Sequence, residues 1–218
     1  ILLSKADLNQ IKALPLCTFV LREVDCYLSF TNLSIADMNG NLVVPIGVNS
    51  SMQTSLYVPD TTSPTVNSFA LFDRNTGLVT IIFSETINVS TFDPSQITLT
   101  ADIFITAGVT PLYQLTGYST IVTMGPNTTV SFYLSFYDLN RVKQDTGLCA
   151  NILVQNCYIT YTSTLVYDQS TNPITAVNST TLLPNVRYSR IAMLILDTTP
   201  PQLLNFSIDM DQENITFT

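Results

Sequence analysis

The chain has 218 residues, with 16 acidic against 8 basic side chains, no histidine and a formal net charge of -8. An acidic chain with scattered lysine and arginine excludes the basic patch that nucleic acid requires, and a chain without histidine excludes Ser-His-Asp or Cys-His catalysis within itself. Only 11 % of residues are charged, while Thr, Ser and Asn abound and β-branched residues dominate the apolar set; this is an all-β composition, and no apolar run approaches the roughly eighteen residues that span a bilayer.

In chain order, residues 1–4 read as the end of a strand. The stretch Asp7-Leu8-Asn9-Gln10-Ile11-Lys12 then reads as one or two helical turns begun by an Asp N-cap. After a segment bracketed by Cys17 and Cys26, strands are predicted at 26–30 and 42–48, joined by a turn at 37–41 in which Gly40 can adopt positive φ. Beyond Asp60-Thr61-Thr62-Ser63-Pro64 the predicted strands are 66–72, 78–84, 96–101, 103–107 and 118–124, with turns at 73–77 and 125–127. The clearest half-buried strand is 129–136, where Val130, Phe132, Leu134 and Phe136 alternate with polar neighbours and should face the core. A second loop helix at Asp138, a segment bracketed by Cys149 and Cys157, and strands at 158–166, 174–177 and 191–196 follow.

The plan then returns. Asp197-Thr198-Thr199-Pro200-Pro201 repeats the leader at Asp60, and an apolar run, an acidic turn and a second β-rich run follow it as before. A second marker lies in the other half of the unit, where Leu3-Ser4-Lys5-Ala6-Asp7-Leu8-Asn9-Gln10-Ile11-Lys12 matches Leu134-Ser135-Phe136-Tyr137-Asp138-Leu139-Asn140-Arg141-Val142-Lys143. Asp7 and Asp138 stand 131 positions apart and Asp60 and Asp197 stand 137 apart, so the second copy has gained a few residues, assigned to 184–191. The expected organisation is a closing half-unit at 1–58, a complete unit at 59–196 and the opening strands of a third at 197–218. Starting at Ile1 without a signal peptide and stopping in mid-strand, the chain reads as a segment of something longer.

The leader at Asp60, the run ending Phe83-Ser84-Glu85-Thr86-Ile87-Asn88 and the later Asp138-Leu139-Asn140 resemble tandem immunoglobulin-like β-sandwich repeats. Such repeats occur in large secreted or cell-surface proteins of algae, other protists and bacteria, including fibrous surface appendages. The resemblance covers nearly the whole chain and implies Greek-key sandwiches with one short loop helix per repeat. Short strands, turn residues and Pro64, Pro200 and Pro201 at the joints fit stacked units in a semi-rigid rod.

Four cysteines in equivalent places suggest disulfides. Of three connectivities, Cys17 with Cys26 and Cys149 with Cys157 is favoured because each repeat should fold on its own. Seven sequons, at Asn32, Asn49, Asn88, Asn127, Asn178, Asn205 and Asn214, mark acceptors for N-linked glycans; about four would arise by chance in so hydroxyl-rich a chain. Asn32 shares strand parity with Leu28 and Phe30 and is the last in order of expectation.

Two readings remain for the acidic residues. Asp60 and Asp197 at the joints, with Asp209, Asp211 and Glu213 behind the second, could supply oxygens to calcium, or could cap turns. Glu85 paired with Asp73 or Asp93 would suit glycoside hydrolysis only if the carboxylates faced one another across a cleft. Leu203, Phe206 and Ile208 lie on the opening strand of the third unit, where an exposed edge would template pairing with another chain.

Together these features lead to a structural, non-enzymatic, extracellular glycoprotein, a filament or surface appendage whose repeats join head to tail. Its partners would be copies of itself or covalent neighbouring repeats. A calcium-dependent adhesin module binding carbohydrate or another cell is the second reading, and an accessory module of a polysaccharide-degrading enzyme the third.

Overall fold

The computed structural model describes residues 2–14, 16, 17, 19, 20, 23, 24, 26–102, 108, 110–150, 156–177 and 190–217. A nine-residue helix, α1 (Lys5–Ala13), comes first. Short strands follow: β1 (Phe19–Val20), β2 (Glu23–Val24), β3 (Tyr27–Leu28) and β4 (Met52–Gln53). The main body contains β5 (Val66–Asp73), β6 (Leu78–Ile87), β7 (Ile97–Thr100), β8 (Leu112–Gln114), β9 (Thr120–Ile121) and β10 (Asn127–Tyr133). After the helix α2 (Phe136–Gln144) come β11 (Tyr158–Tyr161) and β12 (Ile191–Ile195), then a final hairpin of β13 (Phe206–Asp209) and β14 (Asn214–Phe217).

The body is two sheets, ordered β12-β5-β6-β10-β9 and β11-β7-β8. Its strands pair antiparallel, except that β12 runs parallel to β5, with Ile191 opposite Phe69 and Ile195 opposite Asp73. Alternation decides which side chains go inward: β6 buries Val79, Ile81 and Phe83, and β10 buries Val130 and Phe132. They meet Ile97, Leu99 and Ile159 of the smaller sheet in one apolar cluster. Phe92 stands edge-on to Phe83 at 6.4 Å and tilts against Phe132 at 5.3 Å. Burying each such aromatic side chain stabilises the body by about 1.5–3 kcal/mol.

Local chemistry sets the helices. In both a serine is the N-cap, in place of the Asp7 expected for the first: Ser4 Oγ accepts from the Asp7 N–H, and Ser135 Oγ from the Asp138 N–H. The serine hydroxyl in turn donates to the carboxylate of the aspartate three positions on, and α1 begins earlier and runs longer than predicted. This cap overturns the placement of Phe136. The period-two strand stops at Tyr133, Ser135 starts the helix, and Phe136 is 84 % exposed on its first turn, whereas Val130, Phe132 and Leu134 face the core as expected.

Other expectations also change. Residues 2–4 are not a strand, 118–124 shrinks to β9, 42–48 makes only single bridges, and β8 was not foreseen. The strand predicted at 103–107 and most of the insertion placed at 184–191 lie outside the described residues.

Two groups tie loops to the body. The buried Asp138 carboxylate accepts from the Tyr113 hydroxyl at 2.6 Å, from the Thr116 N–H and hydroxyl, and from Ser135 Oγ, fixing α2 to the end of β8. Burial and this carboxylate together push the Tyr113 hydroxyl well above its ordinary pKa. Arg74, in the β5–β6 turn, donates to the Cys149 carbonyl in the disulfide loop and to the carbonyl of Val142, in the last turn of α2 where carbonyls lack an intrahelical partner.

The sequence repeat has a counterpart in hydrogen bonds. The bridge between Phe30 and Ile46 recurs between Tyr161 and Val177, and that between Ala36 and Leu42 recurs between Tyr167 and Pro173. Asp37 Oδ1 accepts from the N–H groups of Asn39 and Asn41, and Asp168 Oδ1 from those of Ser170 and Asn172. Thr54 donates to the Cys26 carbonyl as Ile191 does to that of Cys157. Disulfides Cys17–Cys26 and Cys149–Cys157 close equivalent loops, each beginning with a cysteine in the left-handed region.

Candidate functional site

The joint between α1 and the body is the most concentrated group of charges among the described residues. The helix presents Lys12 from its last turn, where a cation is favoured by the helix dipole. Its ammonium lies 2.6 Å from Asp60 Oδ2 and in contact with Glu85 Oε2. Asp60 comes from the leader, where its other oxygen accepts from the Thr62 N–H, and Glu85 comes from β6. The neighbouring Thr86 hydroxyl donates to the Asn9 carbonyl at 2.8 Å, so the helix backbone is held as well.

Asp168 completes the group from the turn before β12. Its Oδ2 accepts from the Asn172 amide, and the same amide donates to the Asp60 carbonyl, linking the turn to the leader. A bridge between Ile87 and Asp168 joins the turn to β6. Burial disfavours charge on Lys12, but hydrogen bonds and attraction from Asp60 and Glu85 outweigh it and raise its pKa. Burial is also the largest influence on Asp60, where bonds to Lys12 and Thr62 prevail and lower the pKa. At Glu85 burial wins over Lys12, and the pKa is raised.

A second joint is built from equivalent residues. Lys143, on the last turn of α2, lies 2.8 Å from Asp197 Oδ2, and Asp197 Oδ1 accepts from the Thr199 N–H as Asp60 does from Thr62. The hydrogen bond and charge of Lys143 lower the Asp197 pKa. Asn75, in the β5–β6 turn, accepts from the Thr198 N–H at 2.8 Å and donates to the Leu196 carbonyl. The leader after β12 is therefore held by both the helix and the opening hairpin of the preceding body.

Calcium must be judged against this geometry. Among the described residues, the carboxylates close enough to share an ion are Asp60, Glu85 and Asp168, with candidate oxygens within 4.8 Å of one another. Calcium needs six to eight oxygens, and here the Lys12 ammonium already supplies the positive charge between two of the three. The residues read from sequence as calcium ligands do not converge: Asp197 pairs with Lys143, Asp209 accepts from the N–H groups of Asp211 and Gln212 in its own turn, and Asp211 is exposed on that turn. Turn chemistry and lysine pairing account for them. Glu85 does not face Asp73 or Asp93 across a cleft, since those two cap their own turns at Asn75 and Ser95.

Of the sequons, Asn32, Asn49, Asn127, Asn205 and Asn214 are exposed and Asn88 is half-buried; Asn178 lies outside the described residues. Asn32, placed last on strand parity, sits in an exposed turn instead. Asn88 and Asn127 accept through Oδ1 from the N–H of Ser90 and Thr129, so each sequon asparagine binds the backbone two residues on. Leu203, Phe206 and Ile208 are all exposed.

Sequence reasoning missed Lys12, Lys143 and Glu85 as joint residues. Lys12 and Lys143 did recur at the repeat spacing, and a basic residue closing each helix ahead of an acidic leader was the available signal. Comparison with protein families, with curated proteins and with solved structures gave no match.

Proposed function

We propose that this chain is a structural segment of an extracellular, N-glycosylated filament or surface appendage made of immunoglobulin-like Greek-key repeats. Residues 1–58 close one repeat, 59–196 form a complete one and 197–218 open the next, joined head to tail. The observation that carries the reading is the recurring joint: a lysine from the loop helix grips the aspartate of the following leader, at Lys12–Asp60 and again at Lys143–Asp197. A device used twice in succession suits a linear array, in which each unit fixes the orientation of the next.

The disulfides support an oxidising compartment, and the exposed sequons supply attachment points for a glycan coat. The adhesin reading is weaker because a lysine neutralises the acidic group best arranged for calcium. Electron microscopy of the native material, with glycopeptide mass spectrometry, is the test. Elongated particles with occupied Asn127 and Asn88 are expected; compact particles with every sequon bare would overturn the proposal.

A further inference from the structure

The outer face of the larger sheet carries hydroxyl and apolar side chains where β6, β10 and β9 lie side by side. The register sets Thr129 opposite Ile82, Ser131 opposite Thr80 and Tyr133 opposite Leu78, and strand alternation sends all six outward. The Thr80 and Ser131 hydroxyls lie 2.9 Å apart across the two strands. β9 continues the face: Tyr133 stands opposite Thr120, and two residues on the Val122 N–H donates to the Ser131 carbonyl.

Among the described residues β9 is one edge of this sheet. An edge strand offers backbone groups to any other strand, and proteins blunt such edges with charged side chains, proline, bulges or a cover. Residues 103–137 contain no charged side chain and residues 118–124 no proline. Beside the edge, Ile82 and Val122 are 36 % and 49 % exposed.

A cover has its attachment point on the same strand. Asn127 opens β10 two residues before Thr129 and so shares its face. It is exposed, it forms a sequon with Thr128 and Thr129, and its Oδ1 accepts from the Thr129 N–H at 3.0 Å, tying the carboxamide to the strand. Thr129 and Ser131 lie about 7 and 13 Å further along, so the inner sugars of a glycan on Asn127 reach the strip between Ile82 and Val122.

We propose that the N-linked oligosaccharide on Asn127 lies along β10 on this face, its inner sugar rings seated between Ile82 and Val122, and guards the β9 edge. The inference rests on the N-glycosylated reading above and names the surface that the glycan occupies. A sugar ring suits the strip: its apolar C–H face meets Ile82 and Val122, and its hydroxyls meet those of Thr129, Thr80 and Ser131. An ionic ligand would find no counter-charge on β9 or β10. Removing about 40 Å² of apolar surface from water favours the folded chain about five-fold.

Thermal unfolding of the full chain, made with and without N-glycosylation, tests this. With glycans present, Asn127→Gln should raise the unfolding constant about five-fold more than it does without them, a difference of about 2–4 °C in Tm. The unglycosylated pair accounts for the Asn127 hydrogen bond to Thr129. Ile82→Thr with Val122→Thr keeps β-branched residues on both strands and should erase the glycan-dependent difference.

A glycan whose loss costs the same with and without these two replacements projects into solvent, and overturns the proposal. So does glycopeptide mass spectrometry that finds Asn127 bare. Self-association of the glycosylated chain that is lost with Ile82→Thr and Val122→Thr would assign the face to a second copy, and overturns it too. The function proposed above fails separately: a bare Asn127 beside occupied Asn32, Asn49 or Asn205 removes the guard and leaves the glycosylated filament, whereas every sequon bare removes both.

Discussion

Residues 4–58 and 135–195 carry one polar skeleton in two different apolar settings. Both have the serine-capped helix, the disulfide loop, the paired bridges and the aspartate-centred turn. Yet Leu28 is 59 % exposed where Ile159 is wholly buried, and Asp37 is exposed where Asp168 is buried. Caps, turns and short cross-links are local and form wherever their few residues occur. Burial needs strands far away in sequence, which the second copy finds in β5 to β10. The comparison separates what a segment specifies alone from what it specifies only with company.

Substitutions at equivalent positions should expose this difference most strongly. Phe69→Ala in β5 should destabilise the body by about 3–5 kcal/mol, while Phe206→Ala should change urea unfolding of the monomer by less than about 0.5 kcal/mol. Ile159→Ala against Leu28→Ala should show the same contrast, at about 2–5 kcal/mol against almost nothing. Equal effects at equivalent positions would break the comparison. Reducing Cys149–Cys157 should cost about 2.5 kcal/mol in the chain-entropy account, and replacing Cys17 and Cys26 should leave the main thermal transition in place.

The joints sharpen the contrast on a smaller scale. Lys12→Met leaves Asp60 and Glu85 facing each other without a cation and should cost about 2 kcal/mol, less than the loss of about 3–5 kcal/mol that follows breaking a fully buried pair. Lys143→Met, at the more exposed joint, should cost about 0.5 kcal/mol. A double-mutant cycle on Lys12 and Asp60 reads the coupling directly.

Acid should give the smallest effect, with a change of sign. Burial raises the Glu85 pKa above 4.5, so as pH falls Glu85 takes up its proton early and a buried charge is relieved, which stabilises the folded state. The Asp60 pKa lies below 3.8, so further acidification removes the Lys12 partner and stability declines. Melting curves should therefore peak at about pH 4–5, with an amplitude below about 1 kcal/mol from the joint. Glu85→Gln should remove the gain and Asp60→Asn should soften the loss.

The repeat, the β-rich composition, the turns and both disulfide pairs were legible because they depend on local residue types and spacing. Alternation in 129–136 placed Val130, Phe132 and Leu134 correctly and failed at Phe136, because period two says nothing of the serine cap that ends the strand. The acidic residues were legible as joint and turn residues, but their partners were not. Lys12 and Glu85 are 73 positions apart, and only the docking of α1 on β6 brings them together. The parallel alignment of β12 with β5 was equally hidden, since the pairing spans the whole body.

That parallel pair also decides how a linear array would carry tension. Force would enter the body through the leader ahead of β5 and leave through the leader after β12, and these strands are neighbours running in the same direction. The start of one and the end of the other lie at opposite ends of the ladder, so pulling slides the strands past each other. Sliding loads the ladder's hydrogen bonds together, whereas peeling would load them one at a time. In such an array the body would be held in shear along its own terminal strands, with the Lys12 and Lys143 pairs at the two points where the load would pass.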